Sequence, residues 1–252
     1  MFSDDLFVPV NQPWGDKVKG SWWKAILLIV AYFLLRIKLE SMILVQGIKM
    51  SGQEASISDL QDPIKVMTWL GQAQWYYQAA TLLLLVFIFI GLHVLTFKLF
   101  DLKEIKGKLL AWTVLVFCTF FILNIGLSLL ITYFQPDYLS PDNQQAVEAL
   151  VGQMASLGAF VNIVILTPIT EEILFRGLIM KYTFPLIPAL GALVASLVFT
   201  YLHGPANLID FMIYFILSAG ITFVYWKTRK IEYAIFYHMI QNLLAFIQIS
   251  VM

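Results

Sequence analysis

The sequence predicts an all-α polytopic membrane protein with about seven transmembrane helices, one of them broken near Pro168. Three observations carry this reading. First, 60% of the 252 residues are hydrophobic and only 13% charged, with mean hydropathy +0.81, a balance outside the range of soluble domains. Second, apolar stretches of about 20 residues recur along the chain with aromatic or basic residues at their ends, the length a helix needs to cross a bilayer. Third, the stretch 157–182 carries Glu171, Glu172 and Arg176 inside an otherwise apolar run, and ionisable groups in such a run mark a functional site by default.

The first predicted segment, 22–45, opens with Trp22, Trp23 and Lys24 and is interrupted by Arg36, Lys38 and Glu40. Its second half is expected to run along the interface, with Arg36 and Lys38 snorkelling to the headgroups. Residues 49–75 read as an exposed connection with one short helix, ended by Trp75, Tyr76 and Tyr77 at re-entry. Further spans are expected at 77–97, 110–134, 157–182, 186–203, 208–226 and 231–250. Lysines crowd the 98–108 loop, whereas 135–157 holds Asp137, Asp142 and Glu148 and no Lys or Arg. Basic loops favour the cytoplasmic side, which places the N-terminus inside. Arg36, Lys38, Lys49 and Lys65, in the first outer connection, are the exceptions to that rule.

Composition narrows the partners. Net charge is zero, which gives no support to a nucleic-acid partner. Cys118 is the sole cysteine, so no intramolecular disulfide forms and packing is its expected role. Asp4, Asp5, Pro9 and Pro13 precede the first apolar run, unlike the basic start of a cleavable signal peptide, so that run is expected to be retained. The oligomeric state is not legible.

Helical spacing separates the two glutamates. Glu172 and Arg176 stand four apart on one face, acid first, the favourable order for an ion pair. Glu171 is rotated by about 100° from that pair and has no basic residue one turn on. Pro168 is expected to break the helix and put the glutamates in the first turn of its second half. Broken membrane helices persist where they line a wet cavity; a buried structural ion-pair cluster is the competing reading. Two of the three histidines lie on later segments, His203 after Phe199 and His238 four residues before Asn242. The third, His93, is read as an interhelical hydrogen-bonder. Counted along straight helices, His203 falls about 25 Å from the start of its segment and Glu171 about 16 Å from the inner end of its own, a mismatch in depth.

Glu171-Glu172-x-x-x-Arg176, Phe199-x-x-x-His203 and His238-x-x-x-Asn242, in that order on successive apolar segments, resemble the three motifs of the CPBP family. That family holds the type II CAAX prenyl endopeptidases and the bacterial Abi proteins linked to bacteriocin processing and self-immunity. The resemblance covers roughly 157–250 and divides the chain into N-terminal helices and loops, 1–156, and a protease-like core, 157–250. It implies an intramembrane endopeptidase acting on a peptide or membrane-anchored protein, in a lipid bilayer expected to be a bacterial plasma membrane. Carried onto this chain, it assigns Glu171 and His203 to water activation and His238 and Asn242 to the oxyanion, with Glu172, Arg176 and Phe199 in support. The expected chemistry needs no cofactor. The alternative is a divalent metal such as zinc on Glu171, His203 and His238, two histidines and a carboxylate being a plausible catalytic set. Two other functions stay open: a non-catalytic immunity or regulatory binding protein, and an ion or proton pathway. Gly126-Leu-Ser128 superficially resembles a serine-protease triplet, but helix packing is its default explanation.

Overall fold

The computed structural model describes residues 7–9, 12–15, 18, 20–138 and 140–251. The described residues form helices joined by irregular connections, without strands, in the order α1 (Trp22–Ser51), α2 (Ile57–Leu60), α3 (Pro63–Gln72), α4 (Gln74–Val94), α5 (Gly107–Phe134), α6 (Asp142–Gly152), α7 (Ser156–Thr183), α8 (Pro188–Leu202), α9 (Leu208–Thr228) and α10 (Ile231–Val251). Five of these, α4, α5, α7, α9 and α10, are long and apolar enough to cross a membrane. With the charged α1 and the short apolar α8 they make the seven expected segments.

The burial pattern sets the layers. Helix α7 is central and packs against α1, α8 and α10; nine residues of its second half, Ile173 to Tyr182, are buried. Helices α4 and α5 turn apolar faces outward, with Leu82, Val86, Ile90, Ile122 and Leu129 exposed, as lipid-facing helices do. Cys118 is exposed on α5. A large core joins α1, α4, α5, α7, α8, α9 and α10, and a second, smaller cluster joins Ile43, Leu70, Leu150 and Ala159.

That second cluster corrects the sequence reading of two connections. Asp62 caps α3, accepting hydrogen bonds from the backbone N–H groups of Ile64 and Lys65, and Pro63 takes the first helical position, where its missing donor is harmless. Trp69, Leu70 and Gly71 of α3 are buried. The acidic 135–157 stretch likewise contains α6, whose Ala146 and Leu150 face inward. Helices α3 and α6 pack together beside α1 rather than forming open loops. The contact with α1 depends on Gly47, because a Cβ there would overlap the backbone carbonyl of Trp69.

Two further expectations change. Helix α1 is one continuous helix of 30 residues, and its Arg36 lines a cavity among the helices. His93 is exposed, next to the last residue of α4, and makes no side-chain hydrogen bond among the described residues. At the same end of the bundle, where Lys230 pairs with Asp101, Trp14 stacks on Tyr225 and lies under the Arg229 guanidinium, 3.9 Å from its ring centroid.

Gly47→Ala should therefore loosen the α3 and α6 pair. Overpacking of this kind costs about 1–3 kcal/mol, so thermal unfolding in detergent should move down and proteolysis between α1 and α3 should accelerate.

Candidate active site

Helix α7 does not break at Pro168; its hydrogen-bond register changes instead. Residues Val161–Leu166 are π-helical, Thr167–Glu172 α-helical and Ile173–Thr183 π-helical again, all within one continuous helix. The Thr167 N–H reaches back five residues to the Asn162 carbonyl. Continuing that register would pair residue 168 with the Ile163 carbonyl, but proline has no N–H to give. Asn242 of α10 fills the vacancy, donating from Nδ2 to the Ile163 carbonyl at 2.9 Å. The proline expected to break the helix thus creates a backbone acceptor and ties α7 to α10. π-Turns of this kind are frequent at functional sites.

Behind this turn lies a buried polar cluster. Glu172 and Arg176 are fully buried, and Arg176 Nη1 donates to Glu172 Oε1 at 3.2 Å. Arg176 Nη2 donates to the Ser218 carbonyl, to Ser218 Oγ and to Thr222 Oγ1 at 2.9, 3.0 and 3.1 Å. The guanidinium also lies 5.1 Å from the centroid of the Phe199 ring, a cation–π contact. His238 Nδ1 meets the same Glu172 Oε1 at 2.8 Å. An ionised carboxylate only accepts, so Nδ1 carries the proton and Nε2 is the unprotonated atom of the neutral ring.

The remaining motif residues face a cavity of about 290 Å³, walled by α1, α3, α4, α6, α7, α8, α9 and α10. Glu171, Phe199, His203, His238 and Asn242 all line it. Glu171 Oε2 is buried without a hydrogen-bond partner among the described residues and stands 3.9 Å from His238 Nε2. His203 comes directly after α8, and its Nδ1 bonds the Phe199 carbonyl at 2.8 Å, so its Nε2 is also left free. The His203 ring lies between those of Phe199 and Tyr214, at centroid distances of 4.2 and 4.8 Å. The 15 residues of α8 still span about 22 Å, yet His203 lines the same cavity as Glu171, so depth counted along each straight helix does not keep the two apart.

Glu171, His203 and His238 do not form a metal-binding group. Among the described residues no three His, Cys, Asp or Glu side chains are placed to hold an ion.

Sequence reasoning missed the support from α9. Asp210, Tyr214, Ser218 and Thr222 recur every four residues and are all buried. Tyr138 Oη donates to Asp210 Oδ1 at 2.7 Å, Asn143 Nδ2 donates to Tyr214 Oη at 3.3 Å, and Ser196 Oγ and Thr222 Oγ1 share a hydrogen bond of 2.9 Å. Burial, then the bond to Asp210, pushes the Tyr138 phenol above its ordinary value. A polar residue at every fourth position of an apolar helix was the available signal.

Residues 153–244, which contain all three motifs, match the family model described as type II CAAX prenyl endopeptidase Rce1-like. The UPF0177 protein YajF of Lactococcus lactis subsp. lactis (strain IL1403) is 26% identical over 179 residues, covering 68% of this chain and 88% of that protein. No solved structure matches. The resemblance read from the motifs is borne out over the region that carries them.

The cluster makes the residues separable by stability. Asn242→Ala strands the Ile163 carbonyl, at a cost of about 1–3 kcal/mol, and Pro168→Ala should remove most of that cost by supplying the missing N–H; a double-mutant cycle of thermal unfolding reads the coupling. Glu172→Gln leaves Arg176 buried without its counter-charge and should destabilise the protein by about 3–5 kcal/mol. Glu171→Gln breaks no hydrogen bond and should leave the melting temperature in place.

Proposed function

We propose that the chain is an intramembrane endopeptidase hydrolysing a peptide or a membrane-anchored protein. The observation that carries this reading is the Glu171 carboxylate, facing a cavity with a buried, unpartnered oxygen 3.9 Å from the free nitrogen of His238. A carboxylate oxygen left without a partner at a cavity wall can accept a hydrogen bond from a water molecule there, the first requirement of a general base.

In the proposed reaction, Glu171 removes a proton as water oxygen bonds to the scissile carbonyl carbon, with His203 Nε2 orienting the water. The developing oxyanion takes the second N–H of Asn242, whose first is bound to Ile163, and donation from His238 once Glu171 has relayed the water proton to its Nε2 across the 3.9 Å gap. Glu172 stabilises that imidazolium through Nδ1. Collapse of the intermediate breaks the C–N bond, and the proton taken from water passes to the departing amine. Arg176 contributes by fixing Glu172, while Phe199 and Tyr214 hold the His203 ring. The proposed setting is a bacterial plasma membrane with the N-terminus cytoplasmic, supported by the lysines of the 98–108 loop.

Cleavage of a quenched peptide library by the purified protein in detergent tests the reading. General-base loss costs about 10²- to 10⁴-fold in rate, so Glu171→Gln should fall by that order while keeping its fold. Equal cleavage by the two proteins would overturn the assignment. Peptide binding without cleavage by the folded wild type would favour the immunity or regulatory reading.

A further inference from the structure

The cavity has a second polar end that the proposed chemistry does not use. Tyr32, Arg36, Glu40 and Ile43 of α1 all line it, a stripe spaced four, four and three residues apart on one helix face. Tyr32 and Ile43 at the ends of the stripe are buried, whereas Leu34, Ile37 and Lys38 between them are exposed. Arg36 and Glu40 thus sit on the side of α1 that faces protein. Arg36 Nε donates to Glu40 Oε1 at 2.7 Å. Among the described residues neither Nη of Arg36 has a hydrogen-bond partner, although the side chain keeps 40% of its surface accessible.

The charge pattern polarises the cavity. Among the described residues Arg36 is the only Lys or Arg that lines it; Glu40 lies beside Arg36 and engages its Nε, and Glu171 lies on the wall formed by α7. Tyr32 and Tyr77 stand within electrostatic reach of both. Leu39, Leu84 and Leu174 supply apolar lining. A guanidinium held at Nε presents its two remaining Nη groups as a fork suited to two carboxylate oxygens.

We propose that Arg36, held by Glu40, is a carboxylate-binding subsite that anchors an apolar peptide and sets which bond reaches Glu171. A carboxylate is drawn to Arg36 and repelled by Glu171, so it binds at the α1 wall and the chain extends from there towards α7. The carboxylate has two candidate sources, the free C-terminus of the peptide or an Asp or Glu side chain within it. The inference rests on the endopeptidase reading for its consequence, but the binding step can be tested without cleavage.

The test has two readouts. Binding of fluorescent apolar peptides is measured on Glu171→Gln protein in detergent, comparing a free C-terminus with its amide and an internal Asp with Asn. Cut positions are mapped by mass spectrometry on the wild type with the same peptides. Loss of a charge-assisted pair should weaken binding by about tenfold, for the amide if the terminus is the ligand and for Asn if the side chain is. Added Arg36→Gln should erase that difference, and added Glu40→Gln should retain it. Moving the effective carboxylate along the peptide should move the cut by the same number of residues. Equal binding of the charged and neutral forms of both pairs overturns the subsite, a result read from the peptides and independent of whether Arg36→Gln folds. Carboxylate-dependent binding with no cleavage by the wild type would sink the endopeptidase reading and leave the subsite standing. Cleavage without carboxylate dependence would do the reverse.

Discussion

The structure depends on one buried cation. Arg176 is removed from solvent on a helix surrounded by other helices, and its charge is tolerable only because Glu172, Ser218 and Thr222 meet it. A buried pair gains little over apolar packing, but it is costly to break. It therefore dictates position: α9 must present Ser218 and Thr222 to α7, and Glu172 must turn inward. Because Glu171 is the next residue on the helix, turning Glu172 inward leaves Glu171 directed to a different wall. The carboxylate that faces the cavity and the one hidden behind it are set by a single rotation of α7.

The second constraint is the π-helical register of α7. A proline inside a helix usually leaves an unpaired carbonyl, and a buried carbonyl needs a donor. Here the donor comes from Asn242, one turn after His238 on α10. Pro168 therefore helps bring the α10 motif to the α7 motif, and the two histidine rings receive fixed proton positions from Glu172 and the Phe199 carbonyl. The geometry at the cavity is thus determined by groups that do not line it as well as by those that do.

Much of this is legible in the sequence. Apolar length identifies the long helices, and four-residue spacing identifies the Glu172–Arg176 pair and the shared face of His238 and Asn242. The features that escape it do so for physical reasons. The connections containing α3 and α6 look polar enough to be loops because each helix buries only one narrow face, against the other. Arg36 resembles a snorkelling residue because sequence does not show which side of α1 meets protein. Helix α7 looks broken because a proline is visible in sequence, while the side chain that compensates it belongs to another helix far along the chain. A straight count misplaces His203 in depth because it measures each residue from the end of its own segment, and sequence does not show how those ends are offset from one another.

One oxygen, Glu172 Oε1, is shared by Arg176 and His238, and the sharing governs how such a site decays. Selection for a folded bundle alone would retain Glu172 and Arg176, since losing either strands the other. It would be indifferent to Glu171, whose carboxylate holds nothing together. On the proposed reading, a descendant without the hydrolytic activity would keep most of the motif and drift at its first position, so the single neighbouring carboxylate is a better record of that activity than the motif as a whole.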